Sequence, residues 1–143
     1  MKQIFLLLII SLVLSANHTM AQSDELVNSC ALNIGNATYL KDFKYKMPQS
    51  AVKPPPSTKN SIVLNKGTIY KFSTCNADGY EGKLIIEIFD GANKLVSNLK
   101  ADGAIDNACG FSCMKAGIYQ INAYFHDGKE GAAVCVMSYI TVK

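Results

Sequence analysis

From residue 38 onward the chain keeps a two-residue beat. Tyr119, Ile121, Ala123 and Phe125 share one side of residues 117–126, and Gln120, Asn122, Tyr124 and His126 share the other. That spacing predicts a half-buried strand. Asp127, Gly128 and Gly131 then turn the chain into a second apolar stretch, in which Ala132, Val134, Val136, Ile140 and Val142 fall on one face. The pattern predicts a long terminal hairpin, which needs a second sheet over its apolar side to be stable.

Upstream the same beat recurs in shorter pieces. Tyr39 to Met47 sets Tyr39, Phe43, Tyr45 and Met47 against Leu40, Asp42, Lys44 and Lys46, as suits a sheet edge with lysines on its wet side. Strands are predicted at 61–64, 68–75, 83–89, 94–98 and 109–114, separated by turn residues such as Asn65-Lys66-Gly67 and Asp90-Gly91-Ala92-Asn93. Tyr70 and Phe72 point inward in the second of these, and Leu84, Ile86 and Ile88 in the third. Residues 23–37 read either as a short edge strand around Val27–Leu32 or as a frayed terminus.

Two stretches, 48–60 and 99–108, are long enough to cross between sheets. The first holds Pro54-Pro55-Pro56, an extended segment that serves as a stiff crossover or docks an aromatic groove on a partner. Seven or eight antiparallel strands without helical periodicity predict an all-β fold, a single β-sandwich of jelly-roll or Greek-key order.

The first residues change the address rather than the fold. Lys2 precedes an apolar run from Ile4 to Ile10 and on to Leu14, with Ala21 at the end. This predicts a secretory signal over 1–22 and a domain over 23–143, with no membrane span in the mature chain. The protein is expected to be secreted, periplasmic or held at the cell surface. Asn36-Ala37-Thr38 is a glycosylation sequon in a host with that machinery and otherwise an ordinary turn.

The 14 basic residues are all lysine, against 11 acids. Without arginine and without a basic cluster among the acids, the chain lacks what a nucleic-acid binder uses on phosphates and base edges. Export favours disulfides among the five cysteines, at most two of them within the chain. Strand ends meet at sandwich rims, so Cys75 is expected to bond Cys113. Cys30, on an N-terminal edge strand, is expected to bond an outward Cys135, leaving Cys109 unpaired.

From Ser61 on, the order SIVLNKGTIYKFSTC, GKLIIEIFD and FSCMKAGIYQINAYFHDGKEGAAVCVMSYI resembles extracellular pre-peptidase C-terminal modules and GOLD-type domains. The resemblance rests on Gly67, Tyr70 and Phe72 on an early strand and Gly117, Tyr119 and Ile121 on the penultimate one. It implies a non-catalytic jelly roll that binds, targets or packs against a partner. Pre-peptidase modules usually accompany a catalytic domain, and this chain carries none.

The chemistry-bearing residues weigh the same way. His126 is the one histidine past the signal, next to Asp127 at a predicted turn, where a base is poorly held for nucleophilic catalysis. Glu87 faces out with no second carboxylate to match it. Cys109, Cys113, Cys135 and His126 are zinc-type ligands without zinc-type spacing. No cofactor is expected apart from calcium, for which Asn76, Asp78 and Glu81 in one turn, with Asp102 and Asp106 in a loop, supply oxygen donors; such clusters are also ordinary turn chemistry.

Tyr124, Met137 and Tyr139, with Asn122 and Gln120, are expected on the outer face of the terminal hairpin. Tyrosines beside amides stack sugars or anchor proteins. Two functions follow. One is a secreted binding or accessory module contacting a polysaccharide or an extracellular protein. The other is a structural or assembly subunit that pairs through its edge strands.

Overall fold

A computed structural model describes residues 22–140, so the expected signal lies almost wholly outside the described residues. Eight strands follow one another: β1 (Thr38–Met47), β2 (Thr58–Leu64), β3 (Ile69–Asn76), β4 (Leu84–Asp90), β5 (Asn93–Ser97), β6 (Ala108–Ser112), β7 (Gly117–Phe125) and β8 (Gly131–Ile140). They form two four-stranded antiparallel sheets, β1-β8-β3-β6 (sheet A) and β2-β7-β4-β5 (sheet B). This is the jelly-roll order. β1 pairs with β8, β2 with β7, β3 with β6 and β4 with β5, as if one long hairpin with its tip at Gly91 had been rolled up.

The rolling corrects the terminal hairpin. β7 and β8 are consecutive but belong to different sheets, and residues 126–130 arch over the rim between them. β7 pairs with β2 and β4, and β8 with β1 and β3. The arch is tight where backbones meet. Gly128, at φ 66°, lies against the Ser50 carbonyl, and the Phe125 ring fills the place a side chain at Gly131 would take. The proline stretch runs from β1 in sheet A to β2 in sheet B and is the crossover.

Between the sheets lie Phe72, Leu84, Ile86, Ile88, Ile121 and Phe125, nearly all fully buried. Tyr70, Phe72, Tyr119 and Ile121 belong to this core, so the aromatic motif behind the family resemblance is a packing motif.

The N-terminal segment is neither strand nor frayed. Residues 22–32 form a helix, α1. Leu26, Val27, Cys30 and Ile34 recur at helical spacing and pack with Val134 and Val136 on the outer face of sheet A. Gly35, at φ 69°, follows the helix in the left-handed conformation. Cys30 bonds Cys75 with Cα atoms 5.8 Å apart, and Lys44 pairs with Asp24.

The expected bridges Cys75–Cys113 and Cys30–Cys135 are therefore not formed, and Cys109, Cys113 and Cys135 are free thiols. Cys113 lies beside Thr68 at the start of β3, the opposite end from Cys75. For Cys135 the cause is the phase of β8. Cys135 sits opposite inward Thr74 and faces the core, whereas Cys75 sits opposite Val134 and faces the helix. A shift of one residue in phase turns every side chain of a strand over.

Where β5 ends, a side chain continues the ladder. The Asn98 amide accepts from Ile86 N–H at 2.8 Å and donates to the Leu84 and Asp106 carbonyls at 3.0 and 3.1 Å. These are the bonds a further strand residue would make, and they satisfy a side chain that is 1 % exposed.

Candidate binding site at the open sandwich edge

The five residues expected on one outer face are divided between two surfaces. Gln120, Asn122 and Tyr124 line the outer face of sheet B. Asn122 donates to Glu87 at 3.2 Å, and Lys94 donates to the other oxygen of the same carboxylate at 3.1 Å. Tyr124 is half-buried, and its burial, followed by the nearby Glu87 charge, raises its phenol pKa. Met137 and Tyr139 face the other way, toward the space between the sheets, and Met137 is buried in the main core.

At that end the sheets part and leave an open cleft of about 570 Å³. Met137 and Tyr139 of β8 meet Tyr70 of β3 and Thr68 just before it, with Leu40 and Lys41 of β1 on one rim and Ser61, Ile62 and Val63 of β2, with Asn65 just after it, on the other. A β-bulge between Tyr39 and Lys41 inserts Leu40 into the edge strand, and Lys41 comes opposite inward-facing Met137. The Lys41 ammonium stands 5.2 Å from the centre of the Phe43 ring. Val63 at 71 % and Leu40 at 44 % are exposed.

Two tyrosine hydroxyls make fixed bonds at or beside the cleft, and Tyr70 is the one that lines it. Tyr45 donates to Asn60 at 2.8 Å, joining β1 to β2, and the Tyr70 hydroxyl accepts the Asn65 N–H at 2.9 Å. Burial pushes the Tyr45 phenol far above its ordinary range, so the group stays a neutral donor. The cleft thus presents aromatic, thioether and aliphatic surface with a single cation and the fixed Tyr70 hydroxyl. That chemistry holds an apolar side chain of a partner and orients it.

The remaining candidates are scattered. Asn76 accepts the Leu84 N–H at 2.8 Å, and Asp102 accepts the Ala104 N–H at 2.9 Å. Glu81 pairs with Lys129, and Asp106 with Lys100. Among the described residues no three His, Cys, Asp or Glu side chains are placed to hold a metal ion, so the calcium donors, with Asp78, and the zinc-type set are not assembled. His126 lies on the arch with Nδ1 3.3 Å from Asp127. Asn36 is exposed.

Tyr70, Leu40, Lys41 and Val63 were not legible as site residues. Tyr70 reads as core on its strand, and a one-residue bulge leaves no mark in an alternating pattern. The one signal was the run of exposed-side lysines along the β1 edge.

No family model matches the chain, and no curated protein matches it. Among solved structures it is similar to a periplasmic lysozyme inhibitor of g-type lysozyme from Aeromonas hydrophila, at a TM-score of 0.52 and 11 % identity, over 72 % of this chain and 88 % of that one. The likeness is one of fold.

Proposed function

We propose that this chain is an exported, non-catalytic binding module that grips an extracellular protein through the cleft at the β1/β2 edge. The observation that carries the reading is the cleft itself, where Met137 and Tyr70 line a floor flanked by half-buried Tyr139 and by exposed Val63 and Leu40. Large side chains with few rotamers, grouped in a concavity, make efficient anchors. The Cys30–Cys75 bridge fits an oxidising compartment. The resemblance to pre-peptidase C-terminal and GOLD-type domains carries the same implication of a module that binds rather than reacts.

Assembly through edge strands is the weaker reading. β1 is bulged and carries Lys41, Lys44 and Lys46, while β5 and β6 are five residues each. Bulges, lysines and short strands all discourage pairing with another chain.

The test uses the chain purified after export. A g-type lysozyme is the first partner to try, because the similar solved structure inhibits one, followed by extracellular protein fractions and a glycan array. The double variant Leu40→Gln/Val63→Gln should weaken protein binding while leaving thermal unfolding unchanged. Loss of binding in Gln120→Ala/Tyr124→Ala instead would move the site to the outer face of sheet B. Binding confined to the glycan array would overturn the protein partner.

A further inference from the structure

Charge along this chain is segregated in a way that one-by-one inspection of its lysines hides. Between Phe43 and Ala77 there are six lysines and no acidic residue. The fold lays much of this segment along one side of the molecule, because β1 and β2 are the two neighbouring edge strands that border the cleft. Asp42 is the one carboxylate on those strands, and it accepts the Tyr39 hydroxyl. On the rest of the sandwich Lys94, Lys100, Lys115 and Lys129 face Glu87, Asp106, Asp90 and Glu81, while Lys83 makes no ion pair among the described residues. On the edge strands Lys44 and Lys46, opposite Val134 and Ala132, face outward from sheet A, and Lys59, opposite Asn122, faces outward from sheet B. Lys44 reaches Asp24, but Lys41, Lys46, Lys59 and Lys66 make no ion pair among the described residues.

Lys41 matters most. It lies on the core-facing side of β1, opposite Met137, and lines the cleft. Its ammonium is exposed beside the Phe43 ring, and a partner that covers the cleft would strip water from it, which costs free energy unless an anion joins it there. Lys41 in the cleft and Lys66, on the turn next to lining Asn65, make a surface complementary to acidic residues flanking an apolar anchor, and such rims act on both encounter rate and choice of partner.

We infer that the partner presents an acidic polypeptide segment whose aromatic or aliphatic side chain enters the cleft, with Lys41 and Lys66 meeting its carboxylates. The inference rests on the cleft being the contact surface. An anionic polysaccharide would answer the lysines but not the apolar lining of Ile62, Val63, Tyr70 and Met137.

A random-peptide display library panned with the exported chain tests this, with polygalacturonate and heparin as anionic glycan probes. Recovered peptides should combine Asp or Glu with a large apolar residue. A synthetic copy of one of them should bind Lys41→Gln/Lys66→Gln roughly tenfold more weakly, and high salt should weaken the parent protein to a similar extent. Leu40→Gln/Val63→Gln, which leaves the charge intact, should weaken it too. Neutral or basic peptides, or acidic ones indifferent to the lysine double variant, overturn the inference, and the cleft reading survives if Leu40→Gln/Val63→Gln still matters. Peptides indifferent to Leu40→Gln/Val63→Gln overturn the cleft reading and this inference with it. Binding of the glycans alone, or of no probe at all, overturns both.

Discussion

The two sheets have the same number of strands and opposite surroundings. Sheet A is buried on both faces at its centre: Cys135 and Met137 of β8 face the other sheet, while Val134 and Val136 face α1. Sheet B has one dry face and one largely wet one. On β7, Tyr119, Ile121, Ala123 and Phe125 are buried, whereas Ile118 is 71 % exposed and Gln120 is open to solvent. The difference lies in α1, a short helix that stays in place through a small apolar cluster, the Lys44–Asp24 pair and one disulfide. An isolated helix of this length is marginal in water, so its order depends on those tethers.

The sharpest way to break the contrast is to release the helix. Cys30→Ala/Cys75→Ala removes a bridge spanning 45 residues, which on the chain-entropy account costs about 3–4 kcal/mol. Denaturant melts read the loss. Hydrogen exchange should show residues 22–32 losing protection well before the strands. If the helix stays as protected as β8 in the double variant, the apolar cluster alone holds it.

A smaller effect separates the sheets directly. Val136→Ala on the helix-covered face of sheet A deletes buried methyl groups and should cost roughly 2 kcal/mol. Ile118→Ala on the open face of sheet B removes more carbon and should cost no more than about 0.5 kcal/mol. Equal costs in urea melts would mean that the outer face of sheet B is covered in solution.

The same contrast explains what could be read from the sequence. β7 alternates cleanly from Tyr119 on because water on one side favours the polar Gln120, Asn122 and Tyr124 there, and its inward set is the one expected. β8 is apolar at both parities from Ala132 to Met137. Such a strand has no readable phase. Choosing the wrong phase sent Cys135 outward, put Met137 and Tyr139 on a wet face, and produced the incorrect Cys30–Cys135 bridge, whereas Cys75–Cys113 failed because the two residues lie at opposite ends of β3. Strand positions survived because turn residues mark them independently of phase, as Asp90-Gly91-Ala92-Asn93 does for β4 and β5. Pairing did not survive, since a jelly roll joins strands far apart in sequence and its arch at residues 126–130 carries the same Gly and Asp as a hairpin. The helix was hidden by its length, with only Leu26, Val27, Cys30 and Ile34 to show the longer period. The cleft was half legible: Met137 and Tyr139 belong to it, but its other wall comes from strands that only the rolled topology brings near.

The sheets also differ in what they titrate, which gives the smallest effect. The thiols of β6 and β8 both lie on the inner side of sheet A. Burial, with a minor contribution from Asp106, pushes Cys109 from 9.0 to about 12, and burial alone dominates the upward shift of Cys135. At neutral pH both thiols are protonated in the folded and unfolded chains, so they contribute nothing to pH dependence there. Above the ordinary thiol pKa the unfolded chain releases protons that the folded chain retains, so the unfolded state binds fewer protons and stability falls as pH rises. One pH unit above that value, Cys109 alone should account for about 1.4 kcal/mol of lost stability, and the loss should grow until its folded pKa near 12 is reached. Cys109→Ala should flatten this alkaline limb in urea melts run at increasing pH, while Gln120→Ala on sheet B leaves it unchanged. An identical slope in Cys109→Ala would mean that the thiol is already hydrated in the native state and that the β6 edge of sheet A opens to water.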